Sequence, residues 1–278
     1  MTPNIIHNLS LLEKERKIKI LYAVESGSRA WGFSSINSDY DVRFLYVNNL
    51  DYYFSISNNL KDTIEKMINE NDLDFSGWEL KKSLRLFAKS NPCLLEWLDS
   101  PIIYSQDDTF INKLRSLREK FFDPKSSIYH YLHMARNNFD LFLQKDSVKL
   151  KKYFYVLRPV LCCSWIFRTK THAPMLFDTL LQNELHDTEI KDKVNDLLVR
   201  KKSGAELDEG DRIHCLNEYL REKIDLYSRI VKDLPVKTIP QDDVTLNTFC
   251  KETILRSVDK PVSCSKIDSY YCGMLRSC

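Results

Sequence analysis

The 278-residue chain reads as an α+β protein, and three observations carry that reading. Extended apolar runs are confined to about the first 105 residues, where segments 18–24 and 42–47 alternate like half-buried strands. Between those two runs lie a glycine-serine turn, Gly27-Ser28, and an acidic pair, Asp39-x-Asp41. From about Ser105 to Leu255 the apolar spacing is helical. The expected organisation is therefore a sheet with flanking helices over 1–105, a helical bundle over 106–256, and a Ser/Tyr/Cys-containing tail over 257–278.

Each element has its own signal. Ile5, Ile6, Leu9 and Leu12 recur at helical steps beside a charged face, which predicts an amphipathic helix over 2–17. Strands 18–24 and 42–47 follow, then an Asn- and Tyr-rich connection over 48–61. Two further extended segments, 62–68 and 72–78, are separated by Asn69-Glu70-Asn71, residues that favour a turn. Segment 79–89 sets Lys81, Lys82, Arg85 and Lys89 against an apolar stripe of Leu80, Leu84 and Phe87, with Pro92 expected to end that helix. Glu96 lies in an otherwise apolar stretch and needs a partner, for which Arg29, Arg43 or a substrate hydroxyl are the candidates. Beyond Ser105, helices are expected over 107–120, 126–144, 148–168, 174–184, 189–202, 208–231 and 241–255, with Pro159 kinking or breaking the third of them.

Composition narrows the function classes. At 43% hydrophobic and 29% charged residues the chain can bury a sizeable core. No apolar run approaches the ~20 residues that span a bilayer, and no signal-peptide core precedes the first charged helix, so a cytoplasmic protein is expected. Lys plus Arg number 41 against 39 Asp plus Glu, a net +2, so nucleic-acid binding would need a local basic patch. The eight cysteines show no CxxC spacing, and reduced thiols are the plain reading. His130 and His133 lie one helical turn apart without an evident third ligand.

The chemistry concentrates between residues 24 and 47. In an extended chain Asp39 and Asp41, two apart, project from one face. Two carboxylates so close repel unless they share a cation, and hard oxygen ligands favour Mg²⁺ or Mn²⁺ over zinc. Gly27 lets the backbone approach a ligand, while Ser28 and neighbouring N–H groups can donate to phosphate oxygens.

The order Gly27-Ser28-Arg29-Ala30-x-Gly32, then Ser38-Asp39-x-Asp41, resembles the signature of the DNA polymerase β-like nucleotidyltransferase superfamily. The fuller string from Glu25 to Phe33 and from Ser38 to Phe44 looks most like the RNA-ligase-associated nucleotidyltransferase (RlaP) family. Further resemblance lies in Leu73-Asp74-Phe75-Ser76-Gly77-Trp78-Glu79-Leu80, in the Ser90 to Pro101 stretch and in Tyr153-Phe154-Tyr155-x-Leu157-Arg158-Pro159, so that it covers about the first two thirds of the chain. Trp31 departs from the pattern, since many minimal members carry a basic residue there.

The resemblance implies a nucleotidyltransferase fold with a mixed sheet, an NTP substrate, Mg²⁺ or Mn²⁺ held by Asp39, Asp41 and a third acid, and an RNA end as acceptor beside an RNA ligase. Asp74, in an apolar-acid-apolar triplet, resembles the third motif. Asp72 shares its strand parity, and Glu79 more plausibly opens the next helix. The catalytic and metal set is thus Asp39, Asp41 and Asp74; the nucleotide-binding set is Gly27, Ser28, Arg29, Arg43, Lys151, Tyr155 and Arg158. The last three sit four and three residues apart, on one face of a helix that interleaves cations with aromatics. Protein nucleotidylation and a catalytically silent nucleotide-binding partner of a ligase are the alternative readings.

Overall fold

Five strands form one mixed sheet in the order β3-β4-β2-β1-β5, and its two faces decide where everything else goes. The computed structural model describes residues 1–57, 60–68, 73–204, 209–237 and 244–258. Helix α1 (Thr2–Arg16) precedes β1 (Lys19–Glu25). A one-turn helix α2 (Gly27–Trp31) leads to β2 (Tyr40–Val47), antiparallel to β1. The connection 48–61 contains a short helix α3 (Leu50–Phe54), whose start is capped by Asn49 accepting from the Tyr52 amide. The hairpin strands β3 (Thr63–Ile68) and β4 (Leu73–Glu79) follow, and β4 pairs in parallel with β2. The expected turn residues 69–71 and the rival acid Asp72 lie outside the described residues.

Strand parity sorts the side chains. Val42, Phe44, Tyr46, Leu73 and Phe75 pack with Ile5, Leu9 and Leu12 of α1 on one face. Leu45 and Val47 face the other way, into a larger core shared with the later helices. Asp41, Arg43 and Asp74 carry the same parity as Leu45 and Val47, so the pleat turns all three toward the helical side of the sheet.

Helix α4 (Leu80–Ala88) begins at Glu79, whose carboxylate accepts from the Lys81 and Lys82 amides. The chain then turns at Ser90, and Pro92 starts rather than ends a helix: it is the first residue of α5 (Pro92–Leu98), capped by Asn91. Strand β5 (Ile103–Gln106) closes the sheet beside β1, so Ser105, the residue at which the sequence pattern turns helical, pairs with Ala23 inside that strand.

Helices α6 (Asp108–Phe121), α7 (Pro124–Phe142), α8 (Lys152–Thr169), α9 (Phe177–Glu184), α10 (Thr188–Lys202), α11 (His214–Asp233) and α12 (Val244–Val258) build the rest. Two corrections apply here. The helix start expected at 148 is instead a short strand, β6 (Ser147–Lys149), paired antiparallel with β7 (Glu209–Asp211), while the start expected at 208 lies outside the described residues. Of the kink or break expected at Pro159, the break does not occur: Pro159 lies inside α8. One buried cluster runs from Leu21 and Val24 of β1 through α6, α7 and α8 to Leu220 of α11, so the sheet and the helices share a core. Among the described residues no helix is long and apolar enough to cross a membrane. The tail cysteines at 264, 272 and 278 lie outside those residues.

Candidate active site

The site is built where the C-terminal end of β1 meets the start of β2. The Ser26 amide donates to the Asp41 carbonyl at 2.8 Å, pinning the turn to the strand. Gly27 has φ +58°, and a Cβ there would stand 2.0 Å from Asp41 Oδ2. Only glycine satisfies both the left-handed backbone and the closeness of that carboxylate. Beneath it, the fully buried Glu25 accepts from the Asp41 amide at 2.8 Å and from the Tyr104 hydroxyl. Burial pushes the Glu25 carboxyl up, and its hydrogen bonds from Tyr104 and Asp41 pull it down.

Register brings two of the three predicted acids together. Asp41 and Asp74 are direct partners across the parallel β2–β4 pair. Asp39 lies just before β2, exposed in the loop 32–39. Burial pushes the Asp41 carboxyl above the usual range; Arg43 pulls it down, and Asp74 and Asp39 raise it further. Asp41 thus feels both neighbouring carboxylates, as a like charge within one site does.

The predicted arginines are already engaged. Arg29 donates to the Ser38 carbonyl at 2.6 Å and the Asp39 carbonyl at 3.1 Å, and its guanidinium lies 3.7 Å above the Tyr40 ring. It straps the loop that carries Asp39. Arg43 donates to Asp41 Oδ1 and to Asp74 Oδ2, each at 2.9 Å. Arg158 is 2% exposed, pairs with Glu96 at 2.7 Å, and lies 4.6 Å from the Trp31 ring centre. Arg158, well inside α8, lies in the core, whereas Tyr155 one turn earlier is partly exposed. Tyr131 donates to the same Glu96 oxygen at 2.5 Å, so Glu96 finds its partners in α7 and α8 rather than in Arg29 or Arg43. Arg158→Ala, which strands the buried Glu96, is expected to lower unfolding free energy by about 3–5 kcal/mol. Denaturant unfolding checks this; unchanged stability with weakened nucleotide binding would return Arg158 to the ligand.

A cavity of about 240 Å³ joins the two halves, lined by Ser28, Asp39 and Asp41 from the sheet side and by Lys151, Phe154, Tyr155 and Lys201 from the helices. Phe33, also at its wall, packs tilted on Phe154 and edge-to-face on Phe177, at 5.0 and 5.2 Å between ring centres, which fixes the loop to α8 and α9. Lys201, in the last turn of α10, was not singled out from sequence. Burial and Lys151 hold its ammonium below the usual range, and Asp39 raises it. Burial, Asp41 and Asp39 likewise raise the Tyr155 hydroxyl. Two larger cavities, about 860 and 850 Å³, are lined by none of the three acids.

Residues 1–252 match the family RlaP, the RNA repair pathway DNA polymerase beta family. The chain belongs to that family. It is accordingly a polymerase-β-like nucleotidyltransferase of an RNA repair pathway. A relative from Bacillus subtilis (strain 168), the uncharacterized protein YcgL, is 48% identical over 234 residues, 84% of this chain and 89% of its own. A crystal structure of a nucleotidyltransferase-like protein from Exiguobacterium sibiricum aligns over 91% of this chain and 80% of that one at 14% identity, with a TM-score of 0.31.

In an RlaP protein these acids must fit a divalent ion if they are to hold one. The donor set is all carboxylate, which suits a hard cation. Asp39 and Asp41 open on the cavity, but the position between Asp41 and Asp74 is held by Arg43. No cluster of three or more His, Cys, Asp or Glu among the described residues is arranged to hold a metal. The fit therefore extends to the Asp39–Asp41 pair.

Proposed function

We propose that the cavity binds the phosphates of a nucleoside triphosphate and that the protein transfers the nucleoside monophosphate to a hydroxyl at an RNA end. The observation that supports this most is the meeting of Ser28, Asp39 and Asp41 with Lys151 and Lys201 across one cavity. Acids alone would repel a triphosphate; lysines alone would bind any anion. Together they suit a phosphate chain that arrives with its own cation. At about 240 Å³ the cavity is below the ~300–1,000 Å³ of whole-ligand sites, a size that suits the phosphates with the base outside against Tyr155.

Asp39 and Asp41 would hold Mg²⁺ or Mn²⁺, which when bound polarises phosphoryl oxygens as a Lewis acid. Ser28 donates to a phosphate oxygen, and Lys151 and Lys201 stabilise the charge that gathers on departing pyrophosphate. The acceptor oxygen forms a bond to the α-phosphorus as the α–β bridging bond breaks, and pyrophosphate takes the electron pair. Asp74, beside Asp41 on the β4 side and away from the cavity lining, accepts the hydroxyl proton through the oxygen that Arg43 leaves open.

Lys149, Lys151 and Lys152 stand close enough that the first two lower the Lys152 ammonium, after burial, and they form a basic rim at the start of α8. Replacing Lys151 and Lys152 by alanine is expected to weaken RNA binding and to flatten log affinity against log salt by up to about 0.7 per lost phosphate contact. Tyr155→Ala is expected to weaken binding without changing that slope, because stacking releases no counterions. Affinities measured across a salt series decide it: an unchanged slope in the lysine variant removes this rim from the RNA path.

A further inference from the structure

Arg43 follows Asp41 by two residues on β2, so the pleat sets both on one face, beside Asp74 on the adjacent strand. Its Nη2 is 2.9 Å from Asp41 Oδ1 and 2.9 Å from Asp74 Oδ2. Its Nη1 donates to the Asp74 carbonyl at 3.0 Å and the Val42 carbonyl at 3.2 Å. The side chain is 18% exposed. One planar guanidinium therefore takes an oxygen from each of two carboxylates and is braced by two main-chain carbonyls, an arrangement that a single ammonium cannot reproduce. Two neighbouring carboxylates need a cation between them. Here the chain supplies it.

We propose that Arg43, and not a metal ion, is the cation shared by Asp41 and Asp74, which divides the three acids into a metal-holding pair, Asp39 and Asp41, and an arginine-held third acid. This rests on the nucleotidyltransferase reading. Arg43 is then a positioning residue: it orients Asp74 toward the acceptor and withholds one Asp41 oxygen from the metal. Asp74 has a second oxygen with no hydrogen bond among the described residues, which leaves it open to a hydroxyl.

Two consequences separate this from a triad of metal ligands. Removing the guanidinium leaves three carboxylates with less compensation, so divalent cations should bind more tightly. Removing the Asp74 charge should leave metal binding almost untouched. The test is Mn²⁺ titration of the purified full chain, followed by the spin resonance of free Mn²⁺, for wild type, Arg43→Gln, Asp74→Asn and Asp41→Asn. Expected are a gain of about tenfold in affinity for Arg43→Gln, a change within about twofold for Asp74→Asn, and a loss of tenfold or more for Asp41→Asn. In transfer assays Arg43→Gln should lower kcat with little change in the NTP KM, and Arg43→Lys should recover part of kcat.

Asp74→Asn weakening Mn²⁺ as much as Asp41→Asn would overturn the proposal, because Asp74 would then be a ligand. So would an Arg43→Gln protein that binds Mn²⁺ no better than wild type. Should Arg43→Gln fail to fold, the Asp74→Asn arm decides alone, since it retains Arg43. Failure of the wild type and every variant to bind Mn²⁺, with or without NTP, would instead remove the metal reading on which the proposal stands.

Discussion

Asp41→Asn is expected to lower nucleotidyl transfer by at least about a thousandfold while leaving the fold in place. The substitution keeps the shape of the side chain and an oxygen that Arg43 Nη2 can reach, 2.9 Å away in the wild type. What it removes is the charge shared with a bound cation, which acts on the reaction more than on packing. Stability should hold for a second reason. Burial, Asp74 and Asp39 all disfavour the Asp41 charge, so its loss relieves a strain that Arg43 only partly offsets. Thermal unfolding with turnover at saturating Mg²⁺ and NTP checks both halves. Wild-type turnover in a folded variant would remove Asp41 from the chemistry.

Gly27→Ala is the second large effect. The new methyl group would stand 2.0 Å from Asp41 Oδ2 and 3.0 Å from its Cγ, at a φ of +58° that L side chains rarely adopt. The backbone strain costs about 1–2 kcal/mol. The carboxylate must also move, and a displacement of about 1 Å at a reacting centre costs about a hundredfold in rate. Urea unfolding and kcat should therefore both fall, with kcat falling much further than stability predicts. A protein destabilised by that amount but fully active would show that the Gly27–Asp41 contact does not set the site's geometry.

Strand parity and register made most of the acid set legible. The period of two puts Asp41, Arg43 and Leu45 on one face, and the β2–β4 pairing then brings Asp74 alongside Asp41. Asp39 shares the spacing but lies ahead of β2, where Arg29 straps its loop, so its place depends on a loop and not on the pleat. Helical spacing groups Lys151 with Tyr155, and both line the cavity. It also groups Arg158 with them, yet Arg158 is buried, because a helix periodicity shows which residues share a face, not which part of that face meets a neighbour. That was decided by Glu96, far away in sequence and buried with it.

Lys201 was illegible for a similar reason. It belongs to the run Arg200-Lys201-Lys202 at the end of α10, where cations ordinarily complement the helix dipole. Only the tertiary fold, which brings Lys201 to one cavity with Ser28, Asp39 and Asp41, makes it a cavity residue. The strands β6 and β7 are three residues each, too short for alternation to show, and they interrupt stretches whose flanks are helical. Of the kink or break that Pro159 signals, the break does not occur, because α8 is buried along most of its length and tertiary packing holds it through the proline.

The reaction itself is tested most directly by following label from an NTP into an acceptor. The wild-type protein, Mg²⁺ and RNA with a free terminal hydroxyl are incubated in parallel with α-labelled and γ-labelled NTP, with Asp41→Asn as the control. Label from the α-phosphorus should appear covalently on the RNA, γ-label should leave as pyrophosphate, and both should vanish in Asp41→Asn. Transfer of γ-label to the RNA, release of inorganic phosphate, or α-label on protein with none on RNA would contradict transfer of a nucleoside monophosphate to an RNA end.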